Sequence, residues 1–343
     1  MRLISNFWQR WQGWLKIIGT VALLAYLLNR MPTTEIWQQM LQLSPASLII
    51  SFLIFLLSNI FFAVAWAIAL NFLDFDLPIK TVSKLFFQSL FINNFASFIG
   101  GDSLRVVQVG RSSQRILDAT LSVFISRLAM LYAILLLAGF MTWGWGMEVG
   151  WGLRIQRLGS YLTIILLLAI PILVFLGSKS MRKAILPKMK SKSNWVSQLI
   201  DRFGQIRQKL QGHEYILLLI LFVSLLAQLL SAGAVWILAI AMNMPVYWWQ
   251  LLLFLSIVGV ALILPISFNG IGIREVGLVG LLTSIQIDGS QALALSLSTS
   301  LLVIVTSFVG GIALLIDFVQ TQAQDRNQKL PDNAKIKLKD NKN

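Results

Sequence analysis

Cysteine is absent from this chain of 343 residues, and histidine occurs once, at His213. No disulfide, iron–sulfur cluster or thiolate zinc site can form. Metal catalysis on histidine ligands, or a Ser-His-Asp relay inside the membrane, has no residues to rest on. Charge is scarce as well. Only 12% of residues are Asp, Glu, Lys or Arg, about half the usual share of a soluble domain. The mean hydropathy is +0.77. No G-x-x-x-x-G-K-[ST] loop is present, so no nucleotide-driven motor is implied.

What fills the space is apolar. No Asp, Glu, Lys or Arg falls between Glu35 and Asp74, or between Glu214 and Arg274. A bilayer-spanning helix needs about 20 apolar residues. The first run holds one such helix with a loop. The second reads as two, broken at "MNMPVYWW". Barrel strands would alternate polar and apolar, whereas runs such as "YLTIILLLAIPILVFLG" are continuous. The reading is an all-α, polytopic membrane helix bundle with about 7–8 crossings, by the spacing of its apolar runs. Apolar segments run over 15–30, 47–72, 85–100, 119–141, 159–177, 215–241, 248–268, 276–287 and 291–318. The first is read as a retained helix, because no small-residue cleavage site follows it closely. Residues 1–319 form one membrane domain in this reading and 320–343 a disordered basic tail.

The formal charge of +14 reflects where the cations sit. Residues 178–213 carry nine Lys and Arg against Asp201, which marks the cytoplasmic face by the positive-inside rule. No nucleic-acid partner is implied. Trp8, Trp11 and Trp14 repeat every three residues, as an interfacial lead-in would. Trp143, Trp145 and Trp151 read as an aromatic belt. With the N-terminus, the basic stretch and the tail all on one side, segment 85–100 must dip and return while 276–287 must cross. Symmetry would have both dip, and the side of the tail stays open.

Two segments stand apart. Segment 85–100 carries Gln88, Asn93 and Asn94 and runs into "FIGGDSLRVVQVGR". Segment 276–287, about a dozen residues, reaches ~18 Å against a core of ~30 Å. It follows "LPISFNGIGIRE". Both adjoin the same grammar of asparagine, paired glycines, acid and arginine. The first set is Asn93, Asn94, Gly100, Gly101, Asp102 and Arg105; the second is Asn269, Gly270, Gly272, Arg274 and Glu275. Short interrupted segments in corresponding halves point to a transporter's binding site and suggest an internal repeat. Glycines allow sharp turns and close approach. Helices starting there aim free amides at an anion, and arginine matches phosphate. Arg127 lies inside an apolar segment, about nine residues past Asp118, and needs a partner; Asp102 and Glu275 are the candidates. Arg111 and Arg115 read as positive-inside charges. The "DFD" pair Asp74 and Asp76 has the look of a metal-binding acid pair, although a loop suits it better.

"NNFASFIGGDSLR", "SVFISR" and "LPISFNGIGIREVGLV", in that order and spacing, resemble the lysylphosphatidylglycerol synthase transmembrane-region family, also called flippase-like membrane proteins. The resemblance covers roughly residues 10–320. It implies a lipid-translocating domain of a bacterial plasma membrane, with the family's acids and arginines at Asp102, Arg105, Arg127, Arg274 and Glu275. Two departures stand out. Ala96 occupies a place where proline is frequent in the family, and a soluble aminoacyl-transferring domain is not expected. Three functions follow as alternatives. One is a non-enzymatic translocator of phospholipid or lipid-linked intermediates between leaflets, with the headgroup phosphate held between the two Gly-rich breaks by Arg105, Arg127 or Arg274. Another is an intramembrane transferase or phosphatase acting on a lipid phosphate. The third is a scaffold for a lipid-modifying enzyme. The expected partners are anionic or phosphate-bearing membrane lipids, with a lipid-modifying enzyme or a second copy as further candidates. No cofactor or metal is expected.

Overall fold

The computed structural model describes residues 22–23, 25–27, 29, 31–95, 98–145, 161, 202, 204–206, 208–262 and 270–329. The Trp8, Trp11 and Trp14 lead-in, segment 159–177 apart from Tyr161, residues 178–201, Trp151, Asn269, Ala96 and the tail beyond 329 lie outside them, as do the side chains of Trp143 and Trp145. The described residues contain no strand. Their helices are α1 (Thr33–Leu41), α2 (Pro45–Phe72), α3 (Ile79–Phe95), α4 (Phe98–Ser113), α5 (Ile116–Trp145), α6 (Tyr215–Ala241), α7 (Trp248–Ala261), α8 (Ile273–Thr283) and α9 (Gly289–Lys329). The protein is a polytopic membrane helix bundle. Four helices are long and apolar enough to cross a bilayer, over Pro45–Phe72, Ile116–Met141, Tyr215–Ala241 and Gly289–Gln322.

The turns expose an internal repeat. Each half runs long helix, turn, short helix, break, short helix, turn, long helix. The described non-glycine residues with positive φ are Asp74 (60°), Gln114 (56°), Asn243 (53°) and Gln286 (68°). Gln114 stands one residue past its helix end, Asp74 and Asn243 two and Gln286 three, and in each case the next residue's N–H reaches back five positions: Phe75 to Leu70 O, Arg115 to Gly110 O, Met244 to Ala239 O and Ile287 to Leu282 O. That six-to-one bond is the Schellman closure of a helix C-terminus. An Asx residue closes the first long helix of each half and a glutamine closes the second short helix.

Polar contacts fix the direction of each half. Arg115 donates to Leu73 O at 2.8 Å and Asp74 O at 3.1 Å, so the end of α4 returns to the face where α2 ended. The pair α3 and α4 is therefore a re-entrant hairpin. Lys209 reaches Asp74 at 2.6 Å and Arg202 reaches Asp118 at 2.8 Å, which makes this the basic face. The second half is inverted. α6 starts at the basic face and runs antiparallel to α2, with Ser51 Oγ on Ala234 O at 2.8 Å. The chain turns beside Val246, whose carbonyl accepts from Trp236 Nε1. The second hairpin, α7 and α8, thus enters from the opposite face, where Ser290 meets Glu35.

This topology corrects the expectation for 248–268. That segment is the first leg of a hairpin rather than a crossing, since α7 has only 14 residues, ~21 Å of helix against a ~30 Å core. The conflict between charge and symmetry disappears: both hairpins dip, and α9 returns to the basic face. There Asp317 pairs with Lys84 and accepts from Gln88 Nε2 at 2.8 Å.

Small residues let the helices close on one another. Ala63, Ala65 and Ala69 of α2 and Ala227, Ala232 and Ala234 of α6 are all buried, as suits helix contact in lipid, where no hydrophobic drive separates helix from tail. Gly310 of α9 sits against the α3 backbone, where a Cβ would lie 1.8 Å from Phe87 O. One apolar core gathers α6, α7, α8 and α9 around Leu238, Leu253, Leu278 and Leu295. Another gathers α2 to α5 around Trp66, Leu70, Val82 and Leu121.

Candidate functional site

The first hairpin carries the charged constellation. Two helices placed tip to tip leave the first amides of α4 without intrahelical acceptors. Asn93, near the end of α3, supplies one: its Oδ1 accepts from Gly101 N–H at 2.9 Å. A side chain at Gly101 would put its Cβ 2.0 Å from Ser89 O, so only glycine lets the two legs approach this closely. Of the two uses expected of glycine here, a sharp turn and close approach, Gly101 shows the second, and both Gly100 and Gly101 lie in the first turn of α4.

Asp102, one turn into α4, binds two arginines. Arg105, one helical turn further along, pairs with Asp102 Oδ1. Arg127, from α5, donates from Nε to Oδ2 and from Nη2 to Oδ1, each at 3.0 Å. Of the two partners considered for Arg127, Asp102 is the one it meets. Arg105 is 3% exposed and lies between two rings, 5.0 Å from the Trp66 centroid and 5.2 Å from that of Phe86. A desolvated cation–π contact can be worth ~2 kcal/mol, which helps offset the burial of the guanidinium. Even so, the buried Arg105 Nε has no hydrogen-bond partner. Arg105 lines a cavity of about 130 Å³ together with Asn59, Phe86, Ser126 and Arg127 among others. That is roughly four waters' worth of space.

The second motif is built differently. Gly270 (φ 77°) and Gly272 (φ 90°) make the tight turn expected of them. Glu275 is fully buried. Its Oε2 accepts from Gly272 N–H and its Oε1 from Ser300 Oγ at 2.6 Å. The first of these is the reach-back half of a capping box. Arg274 donates to the same Ser300 hydroxyl at 3.0 Å. Ser300 of α9 therefore joins an arginine to an acid, and the cluster is neutral. None of the residues lining the cavity beside Arg105 comes from this motif. The structure brings Asp102, Arg105 and Arg127 into one group, and Arg274 and Glu275 into another. Asn94 is buried with its Nδ2 unpartnered.

Trp66, Phe86, Asn59, Ser126 and Ser300 complete these sites and were not singled out in the sequence. Asn59 carried a signal: it is the one carboxamide between Pro45 and Leu70. The two rings carried none, since aromatic residues abound in every span. Among the described residues no group of three or more His, Asp or Glu side chains gathers as a metal site would.

Both hairpins, the inverted halves and the order of the motifs are thus in place. A family model described as the lysylphosphatidylglycerol synthase TM region matches residues 13–311. The chain belongs to that family. The match to the lysylphosphatidylglycerol synthase TM region takes in α1 to α8 and most of the apolar part of α9, so both hairpins are family architecture rather than additions to it. Comparison with curated proteins finds none that matches.

Proposed function

We propose that this protein moves phospholipid or a lipid-linked intermediate between membrane leaflets, with the headgroup phosphate held by Arg105 and Arg127. Family membership ties the chain to lipid modification or flipping. The observation that carries the finer reading is the buried guanidinium of Arg105 at the first hairpin. One carboxylate, Asp102, serves two guanidiniums, one of them buried with an unpartnered Nε beside a cavity. A buried N–H donor without an acceptor is costly, and a phosphate oxygen would relieve that cost. Arginine offers phosphate a matching donor fork.

The inverted hairpins support the same reading. Each brings helix ends part-way into the membrane from a different face, and secondary transporters build their sites on such interrupted helices; here the cavity is lined by the first half alone. By the positive-inside rule the face bearing Arg202 and Lys209 is cytoplasmic, which suits a bacterial inner membrane. Asp102 keeps the arginines paired between loads. Glu275 takes no part in that gating here; it holds the turn of the second hairpin.

The test is lipid scrambling in proteoliposomes with a fluorescent anionic phospholipid. Arg127→Gln and Arg105→Gln, each shown to fold, should slow headgroup movement by at least about tenfold, since a charge-assisted hydrogen bond is worth ~1.5–3 kcal/mol. Unchanged rates in both variants would overturn the assignment.

A further inference from the structure

At the base of the first hairpin, on the basic face, lies a second cavity of about 550 Å³. It is lined by Arg111, Gln114, Arg115, Leu117, Asp118 and Arg202 among others, and it shares no lining residue with the cavity beside Arg105. Three guanidiniums face one carboxylate. Asp118 is 3% exposed and takes Arg115 Nε and Arg202 Nη2 at 2.8 Å each, so it fixes both side chains at the cavity wall. Arg115 is further tied to the carbonyls of Leu73 and Asp74. Arg111 is exposed and makes no ion pair with any described residue. Arg115 and Arg202 are thus held in place by a single buried acid, with Arg111 beside them.

We infer that this cavity is a docking site for a phosphate-bearing anion at the membrane surface, distinct from the Arg105 and Arg127 pocket. The chemistry fits. Arg202 is anchored by one nitrogen to Asp118 and by another to Gln205 Oε1 at 2.5 Å, which orients it. Arg111 supplies an exposed cation on the same wall. The first amides of α5 border the same space and have no intrahelical acceptor. The volume admits a glycerophosphate-sized headgroup as well as a free phosphate. Either source presents the same oxygens, and the two are separable by experiment.

The inference does not depend on the translocation reading, and its test reads binding rather than movement. The full chain in nanodiscs is titrated with phosphatidylglycerol, with phosphatidylcholine and with inorganic phosphate, as wild type and as the Arg111→Gln/Arg202→Gln variant. Arg115 is left intact because it closes the end of α2. A charge-assisted hydrogen bond is worth ~1.5–3 kcal/mol, so the double variant should weaken binding by at least about a hundredfold. Lys80→Gln, an exposed cation on the same face, should leave it unchanged. Loss of phosphatidylglycerol preference in the double variant supports a lipid source. Equally sensitive binding of inorganic phosphate, without lipid preference, supports a soluble one. Equal binding by wild type and double variant, or an equal loss in Lys80→Gln, overturns the site.

Discussion

Arg127 of α5 grips both carboxylate oxygens of Asp102 in α4, at 3.0 Å each. This two-point contact locks the return leg of a re-entrant hairpin to a membrane-spanning helix. The same carboxylate also carries Arg105. Removing it would leave two cations facing each other in a low-dielectric interior. Breaking a buried pair from one side typically costs ~3–5 kcal/mol. Asp102→Ala is expected to lose at least that much in a detergent unfolding titration. Asp102→Ala/Arg127→Gln should recover part of the loss, because the second change removes the stranded charge. Additive losses would mean that the two side chains do not act as one unit.

The legs of that hairpin touch through glycine. Gly101 faces Ser89 O at 2.0 Å from its would-be Cβ, and Gly310 faces Phe87 O at 1.8 Å, whereas Gly233 and Gly280 have nothing within 4 Å. Backbone cannot yield as a flexible side chain can. Gly101→Ala and Gly310→Ala should each cost more than the ~1–3 kcal/mol of ordinary overpacking. Gly233→Ala in α6 should instead stabilise by up to ~1 kcal/mol through helix propensity. Thermal unfolding in detergent separates the two classes.

These glycines show where sequence reading reaches and where it stops. Continuous apolar runs define the bundle, because no soluble fold tolerates them. The pairing of Asp102 with Arg127 was a short inference from the cost of a lone intramembrane charge. The returning leg α4 was hidden for the opposite reason. "DSLRVVQVGRSSQ" is too polar to resemble a membrane helix, and it survives there because protein, not lipid, surrounds Arg105. Conversely 248–268 looks long enough to cross, but its described helix ends at Ala261. Ser300 and Trp66 escaped notice since their roles exist only across helices distant in the chain.

Asp74 and Asn243 occupy matching left-handed positions in the two halves, with φ of 60° and 53°. Both residue types visit this region at little cost, while a β-branched side chain pays ~1–2 kcal/mol. Asp74→Asn should therefore be close to neutral and Asp74→Val clearly destabilising, by unfolding in detergent at neutral pH. The charge adds little. A hydrogen bond from Lys209 holds the Asp74 carboxyl below the usual carboxylate range, so its small stabilisation is present near neutrality and lost as pH falls below about 4. Because the pair is exposed, its worth stays under ~1 kcal/mol, and Asp74→Asn should flatten only that acid limb.

Ser300 donates to Glu275 and accepts from Arg274, so its loss strands a buried acceptor and a buried donor together. Ser300→Ala is expected to cost ~1–3 kcal/mol. Glu275→Gln keeps an acceptor for either Gly272 N–H or Ser300 but loses the charge beside Arg274. The double variant should show a coupling of ~0.5–3 kcal/mol between the two sites. Independent effects would separate the turn at Gly272 from the hold on Arg274.

The inverted arrangement of the hairpins makes a geometric demand that needs no stability measurement. Ser113 and His213 are exposed at the basic face, and Tyr247 and Ser284 are exposed at the turns of the second half. The native chain has no cysteine, so any introduced thiol reports alone. Ser113→Cys and His213→Cys should react with a membrane-impermeant maleimide from one side of sealed vesicles. Tyr247→Cys and Ser284→Cys should react only from the other. Two hairpins dipping from the same face would put an odd number of crossings between Lys209 and Asp317, both of which the ion pairs to Asp74 and Lys84 hold at the basic face. Labelling of Ser113→Cys and Ser284→Cys from a common side would therefore refute the inverted repeat.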